Sequence, residues 1–228
     1  MTLLGELLRE PSTVEAEKGN VPARIERVDP TQSRAISVRE EQIHSLVQQL
    51  FFPRESAPVR RVGFTPVEAS PPTASLCLDV AKALVDESNH EVVLIDACVG
   101  EVPLSSRLQI PAPTGVQVPW TITPRLWLAP WESWCPEHKP ATDQNIERLR
   151  EIAAEFDFSI VHCPPVCWLT ARVGHVCDGL VLVLTANRTR RLAAAQVKQQ
   201  LIQTGVPLLG TVLAERRFPV PDGLYRSL

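Results

Sequence analysis

A chain of 228 residues is long enough for one α/β domain and an extension. Its hydrophobic fraction of 44% and charged fraction of 21% are ordinary for a globular protein, and a net charge of −3 gives no electrostatic reason to expect a nucleic-acid partner. No apolar run reaches the roughly 18 to 20 residues that cross a bilayer, and the N-terminus lacks a signal-peptide core. We therefore expect a cytoplasmic protein in which the 6 cysteines are reduced.

The beginning of the chain predicts an extension ahead of the domain. Residues 1–37 combine a short leucine stripe with a polar, proline-bearing stretch, which indicates an N-terminal helix and a flexible linker. A helix is predicted over residues 38–51, with Ser37 as its N-cap and Glu40 in the capping-box position. Pro53 ends this helix, because proline cannot continue the helical hydrogen bonding.

Residues 38–228 are predicted to form the domain, which is an α/β fold with a single doubly wound, mostly parallel sheet. The alternation of apolar strands with amphipathic helices favours this architecture. The predicted strands are 62–65, 91–97, 125–129, 158–161, 179–185 and 208–213, and the predicted helices after the first strand end near Val85 or span 143–156 and 192–204. Residues 99–124 are predicted to be a proline-rich loop. Ligands of such sheets bind beyond the carboxyl ends of the strands.

The stretch from Arg60 to Leu84 has the layout of a phosphate-binding loop, namely a strand, a tight turn and a helix. In such a loop, glycines let backbone N–H groups approach the phosphates, and a lysine reaches the terminal ones. Here the turn reads EASPPTA, with neither glycine nor lysine. The sequence therefore predicts a nucleotide-binding fold from which the nucleotide chemistry has been lost.

The strand ends, taken in order, resemble the MinD/ParA-like P-loop ATPases. More closely, they are similar to the bacterial tyrosine kinases of capsule and exopolysaccharide assembly. The segments that resemble the family are VGFTPVEASPPTASLCLDVAKAL, VVLIDACVGEVP, FDFSIVHCPPV and CDGLVLVLTANRT, with EEQIHSLVQQLFF upstream. The resemblance runs from about Val38 to the C-terminus. It implies a P-loop NTPase fold and, for active members, ATP and Mg²⁺ as cofactors.

The departures from the family pattern fall on the nucleotide site. By the resemblance, Thr73 replaces the phosphate-binding lysine and Ala74 replaces the hydroxyl that holds Mg²⁺. Cys98 and His162 replace acids, whereas Asp96 is retained. The positions of this altered site are Ser70, Pro71, Pro72, Thr73, Ala74, Asp96, Cys98 and His162. We expect no catalytic residue and no bound cofactor.

The resemblance then implies an inactive pseudokinase or pseudo-ATPase, acting as a regulatory or scaffolding subunit in exopolysaccharide or capsule synthesis and export. The expected partner is an inner-membrane polysaccharide chain-length protein or an active kinase paralogue. Through that partner the protein would lie at the inner membrane, without inserting into it. The alternatives are an active ATP-binding tyrosine kinase with an atypical loop, or a ParA/MinD-like positioning protein that dimerises with nucleotide.

In the kinases, the helix upstream of the core has a glutamate and two arginines that join protomers into a ring. The corresponding positions here are Glu41, His44 and Val47, so the resemblance does not predict that ring, and a homodimer is an open alternative. Glu41 and His44 are candidates for a partner surface. A second candidate is the proline-rich segment that contains Trp120, Trp127, Trp131 and Trp134, because tryptophan is enriched at interaction hot spots. A local core under a long loop explains these tryptophans equally well.

The cysteines and histidine near the strand ends leave another alternative open. Cys98, His162, Cys163 and Cys167 could bind Zn²⁺ if the fold brings them together. Their spacing matches no zinc-finger pattern, and buried cysteines also fill space as small hydrophobic residues. We therefore expect no metal. A thiol nucleophile assisted by His162 lacks a third, orienting residue.

Overall fold

The sheet has seven strands and is parallel except at one edge. In a computed structural model of the protein, the described residues are 30–54, 58–69, 71–111, 118–136 and 142–215, and the side chains of 30–38 and Pro71 are not described. The strands are β1 (Arg61–Pro66), β2 (Val92–Asp96), β3 (Trp120–Thr123), β4 (Leu126–Ala129), β5 (Phe158–His162), β6 (Gly179–Thr185) and β7 (Leu208–Ala214). Their order is β3-β4-β2-β5-β1-β6-β7, and β3 pairs with β4 in the antiparallel sense.

Helices cover both faces of this sheet. They are α1 (Pro30–Phe51), α2 (Pro71–Ser88), α3 (Leu104–Arg107), α4 (Asp143–Glu155), α5 (Trp168–Gly174) and α6 (Arg191–Gln203), with a 3₁₀ turn at Trp131–Ser133. One core cluster contains residues of α1, α2 and α3, and the other contains residues of α4, α5 and α6. Along β6, Leu180 and Leu182 belong to the second cluster, whereas Val181 and Val183 belong to the first. This alternation confirms the predicted doubly wound, mostly parallel sheet.

The strand order places the carboxyl ends of β1, β2 and β5 side by side. Asp96 lies opposite His162 in the register of β2 and β5, and Phe64 of β1 lies opposite His162 from the other side. Thr65 reinforces this edge, because its hydroxyl donates a 2.8 Å hydrogen bond to the carbonyl oxygen of Pro164. The residues that follow these strands therefore share one end of the sheet.

The first helix is longer than the sequence predicts. Since α1 begins at Pro30, Ser37 lies inside it, and the predicted N-cap and capping box at Ser37 and Glu40 are wrong. Proline is well tolerated in the first helical turn, which is why Pro30 begins the helix rather than interrupting it. Residues 30–37 thus belong to a helix and not to a linker, while the leucine stripe lies outside the described residues.

The α1 helix packs on α2 through both apolar and polar contacts. Val47 and Phe51 are fully buried in the core cluster of that face. Beside them, His44 Nδ1 lies 2.5 Å from Glu87 Oε1, and a 2.5 Å ion pair joins Arg39 to Asp79. Within the described residues, no helix combines the length and the apolar character needed to cross a membrane.

Three short elements are absent from the sequence prediction. The predicted loop at 99–124 contains α3 and β3, and α5 follows the CPPV segment. Each has too few residues to show a clear periodicity, since α3 spans 4 residues, β3 spans 4 and α5 spans 7. Apart from the start of α1, the longer strands and helices agree with the prediction to within a few residues at their ends.

Gly63 in β1 is predicted to be required for close packing of the sheet. A Cβ atom there would lie 2.4 Å from Leu180 Cδ2 and 3.2 Å from Cys163 Sγ. We expect Gly63→Ala to lower the free energy of unfolding by about 1 to 3 kcal/mol, the usual cost of overpacking. Urea denaturation of the purified chain measures this change.

Gly210→Ala is the matched control, because Gly210 also lies in a strand and a Cβ there meets no atom within 4 Å. This substitution should be neutral or stabilise the protein by up to about 1 kcal/mol. Equal losses of stability in the two variants would contradict the packing that the structure gives to Gly63.

Candidate functional site

Asp96 is the acidic residue at the carboxyl end of β2, and its carboxylate accepts two backbone hydrogen bonds. Oδ1 accepts the N–H of Cys98 at 3.0 Å, and Oδ2 accepts the N–H of Leu104 at 2.8 Å. The backbone oxygen of Asp96 accepts a third bond, from Trp134 Nε1 at 2.9 Å. The side chain is 1% exposed. The carboxylate thus fixes both ends of the loop that runs from β2 to α3.

His162 and Cys98 meet Asp96 at this end of the sheet. His162 Nδ1 lies 3.4 Å from Cys98 Sγ and 3.5 Å from Asp96 Oδ1. Cys98 is 3% exposed and His162 is 2% exposed. The ligand atoms of the three residues all lie within 4.8 Å of one another. Carboxylate, thiol and imidazole groups are therefore gathered in one buried cluster, which we call the Asp-Cys-His cluster.

The surroundings of Cys98 do not favour a thiol nucleophile. Burial, with a smaller contribution from the nearby charge of Asp96, raises the pKa of Cys98 above its ordinary value. The same causes raise the pKa of Cys77, which lies on α2. Reactive cysteines have the opposite environment, because a nearby positive charge lowers their pKa and exposes a thiolate. The burial of Cys98 and the negative charge of Asp96 beside it therefore give no support to nucleophilic catalysis by this thiol.

The turn between β1 and α2 lies at the same end of the sheet as the Asp-Cys-His cluster, because β1 is the neighbour of β5 in the strand order. Val67 is buried, and its N–H donates to Val183 O at 3.2 Å. The helix begins with Pro71 and Pro72, neither of which has an N–H to offer a ligand. Thr73 is 0% exposed, and its Oγ1 has no hydrogen-bond partner among the described residues. Ala74 is buried and Ser70 lies outside the described residues.

The four-residue cluster that the sequence suggested is wrong as a set. Cys98 and His162 do come together, but their third neighbour is Asp96, and neither Cys163 nor Cys167 belongs to the group. Successive residues at the end of a strand face opposite sides of the sheet, so His162 and Cys163 cannot both point into one site. Cys163 is buried in the cluster on the other face, and Cys167 is exposed at the start of α5. The signal missed in the sequence is the position of Asp96, two residues before Cys98 at a strand end.

The four tryptophans differ in burial. Trp131 and Trp134 are buried among the residues that pack under α4, so these two belong to a local core, one of the two alternatives that the sequence left open, and not to a partner surface. Trp127 is half-buried, and its Nε1 donates to Glu91 at 3.0 Å. Trp120 is half-buried against the other cluster. The indole rings are large and apolar, which explains why the chain uses them to fill the space beside β2 and β4.

The two candidate surface residues of α1 differ in their contacts. Glu41 is exposed. His44 is half-exposed but lies in contact with Glu87 of the same chain, and Val47 is buried. The face of α1 that includes His44 and Val47 is therefore used for packing within the domain.

Comparison with known proteins relates the chain to a family of kinases. No family model matches it. The tyrosine-protein kinase CpsD of Streptococcus agalactiae is 30% identical over 157 residues, covering 62% of this chain and 67% of that protein. The chain belongs to the CpsD family of tyrosine-protein kinases. CpsD proteins of two S. agalactiae serotypes, 29% identical, are matched over 66% of their length, so the chain spans about two thirds of these relatives.

Solved structures show that the fold of the CpsD family is shared more widely. The VpsO kinase domain superposes with a TM-score of 0.62 at 16% identity, covering 81% of this chain and 99% of that domain. The septum site-determining protein MinD of Pyrococcus horikoshii, solved with Mg-ADP, gives 0.56 at 15% identity and covers 74% of this chain and 76% of MinD. These matches confirm the resemblance of the sequence motifs to the capsule-type tyrosine kinases within the MinD/ParA-like fold.

Asp96→Asn is expected to destabilise the protein markedly. An asparagine can accept one of the two backbone bonds, but its NH₂ group then faces the other N–H, and an unsatisfied buried donor costs about 1 to 3 kcal/mol. Urea denaturation in the presence of excess chelator measures the loss without a contribution from metal ions.

Asp79→Asn serves as the control for this substitution. Asp79 forms a partly exposed ion pair with Arg39, and such a pair contributes at most about 1 kcal/mol. If Asp96→Asn were as mild as Asp79→Asn, the carboxylate of Asp96 would not be holding the loop after β2.

Proposed function

We propose that the chain is a catalytically inactive member of the CpsD family, a pseudokinase that acts as a regulatory or scaffolding subunit in capsule or exopolysaccharide synthesis and export. Its contribution to chain-length control would come from protein contacts and not from phosphoryl transfer. The observation that carries this proposal is the N-terminus of α2, where the family pattern places the phosphate-binding lysine and hydroxyl.

The electrostatics at this N-terminus do not fit a magnesium nucleotide. Two prolines occupy the first helical positions, so two of the N–H groups that could bind a phosphate are missing. The position of the lysine is occupied by Thr73, which is buried and neutral. Phosphoryl transfer depends almost entirely on positioning and charge stabilisation. A single preorganised donor is worth about 3 kcal/mol in a transition state, so the loss of several leaves no effective catalyst.

The retained acid also supports a structural role. Both oxygens of Asp96 accept backbone N–H groups, and the side chain is buried beneath the loop that it holds. Opposite it, His162 stands where the family pattern has a second acid. No step of ATP hydrolysis or phosphate transfer is assigned to these residues. We infer that ATP and Mg²⁺ are not cofactors of this chain.

The retained scaffold favours a protein partner. The chain has two core clusters, a parallel strand register and a packed α1, although the residues at the nucleotide-site positions differ from the family pattern. By analogy with the family, we propose that the partner is an inner-membrane polysaccharide chain-length protein or an active kinase paralogue. The contacts of His44 and Val47 within the domain favour this over self-assembly through the same face of α1.

The absence of nucleotide binding can be measured with a fluorescent ATP analogue. We expect no saturable, Mg²⁺-dependent binding up to millimolar concentrations, because Pro71, Pro72 and Thr73 at the start of α2 carry no positive charge to neutralise the phosphates. The tyrosine-protein kinase CpsD of S. agalactiae, measured under the same conditions, is the positive control. Micromolar, Mg²⁺-dependent binding with transfer of the γ-phosphoryl group of ATP to tyrosine would instead establish an active kinase with an atypical loop.

The scaffolding role predicts binding that does not depend on ATP. The purified chain should bind the cytoplasmic segment of the chain-length protein, or the active kinase paralogue, from its own genome with the same affinity in the presence and absence of ATP and Mg²⁺. Calorimetry with each candidate measures this. Absence of binding to both candidates, or binding only when ATP is added, would contradict the proposed scaffolding role.

A further inference from the structure

The Asp-Cys-His cluster has the composition of a transition-metal site. It offers one carboxylate oxygen, one sulfur and one imidazole nitrogen, and each of the three side chains is at least nine-tenths buried. Among the described residues, Asp96, Cys98 and His162 form the group of His, Cys, Asp or Glu side chains whose ligand atoms lie close enough together to hold one metal ion. Zn²⁺ is bound by this set of atoms in proteins, whereas Mg²⁺ and Ca²⁺ prefer oxygen ligands alone.

Two of the three distances between these atoms match edges of a tetrahedron around zinc. With Zn–S near 2.3 Å and Zn–N near 2.0 Å, tetrahedral geometry separates sulfur and nitrogen by about 3.5 Å. The observed separation of Cys98 Sγ and His162 Nδ1 is 3.4 Å. Nitrogen and oxygen ligands should be about 3.4 Å apart. The observed separation of His162 Nδ1 and Asp96 Oδ1 is 3.5 Å.

We propose that Asp96, Cys98 and His162 bind one Zn²⁺ ion through Oδ1, Sγ and Nδ1, with water in the fourth position. The ion would join the loop after β2 to the end of β5. The site goes beyond the pseudokinase function and does not depend on it.

The groups around the cluster support this assignment. The N–H groups of Cys98 and Leu104 orient the carboxylate, as hydrogen bonds to ligating carboxylates do in metal sites. The loop after Cys98 is exposed at residues 100–102, so the cluster lies under a loop that faces solvent. An S–H···N hydrogen bond between Cys98 and His162 would give a similar distance without metal, so the experiment must distinguish the two.

Titration with Co²⁺ tests the ligand set in the unmodified protein. After removal of metals with a chelator, the full chain should bind one equivalent of Co²⁺ and develop the visible bands of tetrahedral cobalt together with a thiolate-to-cobalt charge-transfer band. Zn²⁺ should displace Co²⁺ and abolish these bands. No charge-transfer band, or the spectrum of octahedral cobalt, would overturn the proposal without requiring any variant to fold.

Cys98→Ser and Cys167→Ser form a matched pair for measuring Zn²⁺ affinity by competition with a chromogenic chelator. Cys98→Ser should weaken Zn²⁺ binding at least about 100-fold, since even residues that only orient a ligand contribute 10- to 100-fold. Cys167→Ser should leave it unchanged, because Cys167 is exposed and outside the cluster. Equal affinity in the wild type and Cys98→Ser would show adventitious binding and overturn the site.

Thermal unfolding gives an independent readout of the same site. Zn²⁺ in excess should raise the Tm of the wild type and of Cys167→Ser, because a ligand that binds the folded state stabilises it. The Tm of Cys98→Ser should not change with Zn²⁺. A Zn²⁺-dependent rise that is the same in all three proteins would contradict the assignment.

Discussion

The carboxylate of Asp96 is the interaction on which the functional end of this sheet depends. It ends a strand that is buried throughout, and it accepts the N–H groups of Cys98 and Leu104. A buried carboxylate that lost these donors would face a large desolvation cost, so the loop and the acid stabilise each other. The position of Cys98 beside His162 follows from this loop conformation.

On the proposal that the nucleotide site has been lost, the packing of the domain explains how the fold persists. Packing on the two faces of the sheet depends mainly on the apolar strands and on helices such as α2 and α4. Thr73 and Ala74 are buried at the start of α2, where they add to the core instead of presenting charge to a ligand. Under the proposed function, the domain would offer the surface of the family to a partner without a bound nucleotide.

The extent to which the sequence predicted the structure varied with the length of the element. The apolar strand at 179–185 and the helix at 143–156 contain enough periodic residues to be recognised from sequence alone, and both agree with the structure. The start of α1 was missed because its first turns are polar, and their stability as a helix was not evident from an apolar stripe. Short elements such as α5 depend on tertiary contacts that no local pattern reveals.

The candidate site was predicted in part. The strand ends singled out Asp96, Cys98 and His162, but their grouping depends on the register in which Asp96 pairs with His162. Cys163 does not belong to the group, because side chains alternate along a strand and Cys163 faces the other core cluster. The sequence alone does not predict the burial of Trp131 and Trp134, since tryptophan is as suitable for a core as for an interface.

A crystal structure determined in the presence of excess ADP and Mg²⁺ tests the central claim most directly. The account predicts no diphosphate at the turn between β1 and α2, with both backbone hydrogen bonds of Asp96 in place. A diphosphate bound over residues 67–73, with Mg²⁺ held by Asp96, would show that the nucleotide site still functions and would contradict the pseudokinase assignment.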